Sequence, residues 1–82
     1  MDYPKLGNCS AEYVMRALMK MGGFFLKSKS SKHYKIIHRE TGKGWMIPRK
    51  SPVKRGLMWD MVRNYLQALG YSEEIIFKFL KC

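Results

Sequence analysis

Residues 33–40 read H-Y-K-I-I-H-R-E, and strand alternation sends Tyr34, Ile36 and His38 to one face and His33, Lys35, Ile37 and Arg39 to the other. The first set suits a core. The second set is basic, carries a histidine, and suits a surface open to solvent. Downstream, Thr41-Gly42-Lys43-Gly44 has the composition of a hairpin turn, and Trp45-Met46-Ile47 reads as a short strand ended by Pro48. Upstream, Phe24-Phe25-Leu26 is an apolar, β-prone run that starts another strand, and the polar stretch Lys27 to Lys32 (K-S-K-S-S-K) is expected to connect it to His33. The three strands together form an antiparallel meander.

Helices flank the meander. Ser10 is placed to cap a helix in which Val14, Ala17, Leu18 and Met21 fall on one side, and Gly22-Gly23 stops it. After the basic loop Arg49 to Gly56, residues Leu57, Met58, Met61, Val62, Tyr65, Leu66 and Leu69 again recur with helical period, and Gly70 follows as a stop. Ser72 can cap a short last helix, with Glu73 and Glu74 in its first turn and Ile75, Ile76, Phe79 and Leu80 as an apolar stripe. Strands grouped between helices indicate an α+β fold, with the helices on one face of the sheet and the other face open. At 82 residues there is room for one core, so residues 1–82 are read as one domain.

The formal net charge is +10, and its placement is more informative than its size. Segment 27–55 holds Lys27, Lys29, Lys32, Lys35, Arg39, Lys43, Arg49, Lys50, Lys54 and Arg55 against Glu40 alone, ten positive charges to one negative. A polyanion meeting such a surface gains affinity by releasing condensed counterions, which makes nucleic acid the natural partner. No apolar run approaches the roughly 20 residues a membrane span needs, and Met1 to Ser10 lacks the apolar stretch of a secretory signal. A cytoplasmic protein is expected. Cys9 and Cys82 match neither a zinc ribbon nor a redox pair and are expected to be free thiols. Two histidines and no clustered carboxylates give a metal too few ligands, so neither metal nor other cofactor is expected.

Cleavage of an RNA backbone without a metal needs a group that moves the 2′-hydroxyl or leaving-group proton, and cations to stabilise charge on phosphate. Histidine, with an unperturbed pKa of about 6.5, suits the first role. His33 is the candidate, since alternation turns His38 toward the presumptive core. Lys32, Lys35, Arg49 and Lys50 could supply the cations. Phe24, Phe25, Tyr65 and Phe79 lie in apolar stripes and are read as core. Tyr34 and Trp45 suit either core packing or stacking on unpaired bases.

The order of these elements resembles the HicA toxins of toxin-antitoxin pairs, over about Tyr3 to Leu80. That family carries a helix ending in a Gly-aromatic pair and a K-G-S-x-H type segment opening a strand; here these are Gly23-Phe24 and Lys29-Ser30-Ser31-Lys32-His33. It then shows a strand ending in V-P-R-H or a variant, a helix and a glycine; here Met46-Ile47-Pro48-Arg49-Lys50, the Leu57 to Leu69 helix and Gly70. The resemblance implies a fold like a double-stranded RNA-binding domain, in the order α-β-β-β-α, and a messenger-RNA endoribonuclease. It makes His33 catalytic, with Lys29, Ser30, Ser31, Lys32, Lys35, Arg49 and Lys50 holding RNA. It also implies a HicB-like antitoxin as partner, with operator DNA reached only through that complex. Ser30 replaces the usual glycine and Lys50 the usual histidine, which implies a one-histidine mechanism. Two alternatives remain open: a non-catalytic RNA-binding module on the same fold, and a basic surface serving only an acidic protein partner.

Overall fold

The computed structural model describes residues 4–82, so Met1, Asp2 and Tyr3 of the N-terminal stretch lie outside it. Helix α1 spans Ala11–Met21, strands β1, β2 and β3 span Phe24–Lys29, His33–His38 and Gly44–Pro48, and helices α2 and α3 span Arg55–Met61 and Glu73–Phe79. The strands form one antiparallel sheet in the order β1-β2-β3, with the helices on one side of it.

Both serine caps form as expected. Ser10 Oγ accepts from the Tyr13 amide at 3.1 Å and Ser72 Oγ from the Ile75 amide at 3.2 Å, each satisfying a donor the helix cannot. Gly22 and Gly23 take positive φ of 83° and 81°. Gly23 is required twice over, because a Cβ there would also stand 3.1 Å from Tyr71 Oη.

The core is the filling between sheet and helices. Phe24, Tyr34, Ile36 and Ile47 come up from the strands, Val14, Ala17 and Leu18 from α1, Met58 and Met61 from α2, and Ile76 from α3. His38 is the buried polar residue among them, at 5% exposure. Its Nδ1 lies 2.9 Å from Thr41 Oγ1 and its Nε2 3.1 Å from Tyr71 Oη. Both ring nitrogens are thereby satisfied, which is what makes a buried imidazole affordable. Removing the branched side chain at Ile36, wholly buried at the centre of the sheet, would cost about 2–5 kcal/mol.

Several boundaries differ from the sequence reading. β1 runs on to Lys29 instead of ending near Leu26, because a register shift between Leu26 and Ser28 accommodates the polar residues within the pairing to β2. α2 starts at Arg55, ahead of Gly56, and widens after Met61 into a π-helical turn over Val62–Leu66, with the Gln67 amide bonded to the Val62 carbonyl at 2.9 Å. Residues 67–70 are a turn, not helix. Phe25 is not core: it stands opposite Ile37 on the open face, under the Arg39 guanidinium at 4.9 Å. Adjacent strand residues point to opposite sides, so only one of two consecutive phenylalanines can face the helices.

Cys9 and Cys82 are not free thiols but a disulfide across 73 residues of sequence, with a Cα–Cα separation of 5.1 Å. The wholly buried Leu6, Cys9 and Leu80 show why: the segment before α1 and the segment after α3 join the same core and bring the two cysteines together. Loop-closure entropy for a ring of this length is on the order of 4 kcal/mol. The Cys9→Ser, Cys82→Ser double variant is expected to lose about 2–4 kcal/mol in urea denaturation under non-reducing conditions. A reductant should lower the parent to the same level and leave the variant unchanged.

The Tyr65 hydroxyl donates to the Lys43 carbonyl at 2.7 Å, and its ring stacks on Trp45. Burial, with the nearby Tyr71 adding to it, pushes its pKa up to about 12. The neutral phenol is the form the fold favours, so its stabilising contribution is full below pH 10 and is lost as pH rises from 10 toward 12. Stability measured by denaturant across that range should fall, and Tyr65→Phe should show a shallower fall from a lower starting value.

Candidate nucleic-acid interface

The site is built on the turn between β1 and β2. Ser30 closes it: its amide donates to the His33 carbonyl at 2.9 Å, and its Oγ accepts from the His33 amide at 3.0 Å and the Lys32 amide at 3.3 Å. A short hydroxyl side chain bonding amides two and three residues ahead is a local turn brace. The Ser30 hydroxyl is therefore committed to shaping the turn, and a glycine there could not make these bonds.

Arg49 ties the end of β3 to this turn. Its amide donates to the Lys32 carbonyl at 2.8 Å, its Nη1 donates to the Ser30 carbonyl at 2.8 Å, and its guanidinium lies 4.7 Å from the centre of the Tyr34 ring. Tyr34 is 2% exposed, so it is a core residue and presents no face to a base. Trp45, half-buried and stacked on Tyr65 at 5.4 Å, is likewise engaged.

The clamp brings together residues far apart in sequence. Ser31, Lys32, His33, Pro48, Arg49 and Lys50 line a cleft of about 460 Å³. Three cations and no carboxylate line it. His33, paired in register with Pro48, is half-buried at its wall, and its imidazole has no hydrogen-bond partner among the described residues. This is the reverse of His38, whose two nitrogens are both bonded within the fold.

Lys35 lies two residues on from His33, on the same face of β2, and with Lys27 borders a second depression of about 440 Å³ on the open sheet face. Lys29 is not brought to this face. It pairs with Tyr34, so it belongs to the side of the sheet opposite His33 and Lys35. Ser31, Lys32 and Lys50 are exposed, and among the described residues their side chains make no hydrogen bond that would commit them to the fold. Sequence reasoning grouped Arg49 with the phosphate contacts but missed its bracing role, which depends on contacts 15 and 19 residues away in the chain. Among the described residues no three of His, Cys, Asp and Glu group as a metal site.

The arrangement can neutralise phosphate with Lys32, Lys35, Arg49 and Lys50 and present an imidazole beside it. Ser30→Ala should speed hydrogen exchange at the Lys32 and His33 amides, measured by NMR, while lowering overall stability by no more than about 1 kcal/mol, since the lost bonds are exposed.

Comparison with protein-family models, with curated proteins and with solved structures found no match for this chain.

Proposed function

We propose that the protein is a HicA-like toxin, a metal-independent endoribonuclease that cleaves messenger RNA with His33 as its catalytic residue. The observation that carries this reading is an imidazole with no partner among the described residues, in a cleft lined by Lys32, Arg49 and Lys50. The cations hold the phosphodiester and offset charge that builds on it during displacement. The imidazole then accepts the 2′-hydroxyl proton or donates one to the leaving oxygen. Ser30 positions His33 and Lys32 through their amides, and Arg49, itself a lining residue of the cleft, fixes the turn. Ser31, Lys32, Lys35 and Lys50 are the cleanest RNA contacts, and Lys29 extends the basic surface around the β1 edge.

The open, basic sheet face suits an acidic antitoxin of HicB type, which would silence the enzyme by covering it; DNA would be reached only through that complex. No helix among the described residues is long and apolar enough to cross a membrane, and the reading places the protein in the cytoplasm. Cys82 is only half-buried, so in a reducing cytoplasm the Cys9–Cys82 bridge persists only if its reduction potential lies below that of the cellular thiols.

The test is cleavage of a long single-stranded RNA in the presence of EDTA, with circular dichroism to confirm that variants are folded. The parent should cut, and His33→Ala should lose at least about a hundredfold in rate while still binding RNA. If neither protein cuts and both bind in a salt-dependent way, the protein is a binding module and His33 is not catalytic.

A further inference from the structure

Outside segment 27–55 the chain carries six cations and five carboxylates and looks nearly neutral in sequence. Folding sorts these charges. Four of the six cations, Arg16 and Lys20 from α1, Lys78 from α3 and Lys81 beyond it, line one groove of about 400 Å³ between the two helices. Among the described residues Glu12 is the one carboxylate on its wall, and its contact with Arg16 is a long, exposed pair at 3.8 Å, too weak to neutralise the groove.

The groove is held open in a defined shape. Tyr13 Oη donates to the Phe79 carbonyl at 3.0 Å and accepts from the Lys81 amide at 2.9 Å, pinning the chain after α3 onto α1. One residue further on, the Cys82 disulfide to Cys9 fastens the same segment beside the start of α1. These two ties set Lys78 and Lys81 across from Arg16 and Lys20. All four cations are exposed, so their separation is fixed by backbone anchoring while their side chains stay free to reach a ligand. The helices lie on one side of the sheet, and Arg16 and Lys20 are on the exposed side of α1, so this groove opens away from the sheet face that carries His33 and Lys35.

We infer that the α1–α3 groove is a second site for the phosphodiester backbone of RNA, separate from the His33 cleft. A strand leaving the cleft would pass around a molecule whose shortest extent is 19 Å and be held again on the helical side. The inference depends on the RNA-binding part of the reading above but not on catalysis. A strand held at both sites is neutralised by more cations than one held at the cleft alone, and its affinity falls more steeply with salt, by roughly 0.7 in log–log slope per phosphate for single strands.

The experiment is binding of a long single-stranded RNA at several salt concentrations, in a His33→Ala background so that the RNA stays intact. A groove variant carries Arg16→Gln, Lys20→Gln and Lys78→Gln; a cleft variant carries Lys32→Gln, Lys35→Gln and Lys50→Gln. Five of the six positions are exposed and Lys35 is half-buried, and circular dichroism checks that each variant is folded. The groove variant should bind more weakly with a slope shallower by about 2, and the cleft variant should also lose affinity. An unchanged affinity and slope in the groove variant would overturn the inference, whatever the cleft variant does. Loss in the groove variant with none in the cleft variant would keep the groove and overturn the cleft as an RNA site. Absence of binding by the background protein would overturn both.

Discussion

A six-residue strand at the centre of a sheet that is covered on one side has no freedom in where its side chains go. Because Tyr34, Ile36 and His38 of β2 are buried beneath the helices, His33, Lys35 and Ile37 must emerge on the other side. Sliding β2 by one residue would bury the histidine and lysine and expose the core, so the same apolar contacts that stabilise the sheet also fix the register of the candidate site. The chemistry inherits its geometry from the packing.

Alternation alone would leave His33 on a bare strand end. The cleft around it comes from polar contacts at the sheet margin, where Ser30 folds the turn back on itself and Arg49 joins that turn to the end of β3. Arg49 also lies over the buried Tyr34 ring, so one side chain links core, turn and cleft. The two histidines show how context divides identical side chains. Both ring nitrogens of His38 are bonded and hold the Thr41 turn and Tyr71 to the sheet, whereas the His33 imidazole has no partner among the described residues.

Much of this was legible in the residues. Periodicity placed both faces of β2, Ser10 and Gly22-Gly23 framed α1, Ser72 marked the start of α3, and His38 was read as structural while His33 was read as accessible. What stayed hidden has a common physical cause. The run Phe24-Phe25 is uniformly apolar, so alternation requires one ring to face the helices but composition does not say which. The Cys9–Cys82 bridge, the Arg49 clamp and the grouping of Arg16 and Lys20 with Lys78 and Lys81 each join residues distant in sequence, and only the packed chain makes them neighbours. Lys29 was assigned through the motif it shares with His33, whereas the register shift within β1 decides its side.

The sheet has three strands, so β1 and β3 each leave one row of backbone donors and acceptors without a strand beside it. Such rows invite a strand from another copy of the chain. β3 discourages this by being only five residues long and ending in Pro48, and β1 by its irregular register and by Lys27 and Lys29. The lysines on β1 thus count against pairing through this edge, whatever they bind. Any partner that neutralised them would also remove that repulsion, and the complex would then have to shield the edge itself to remain in solution.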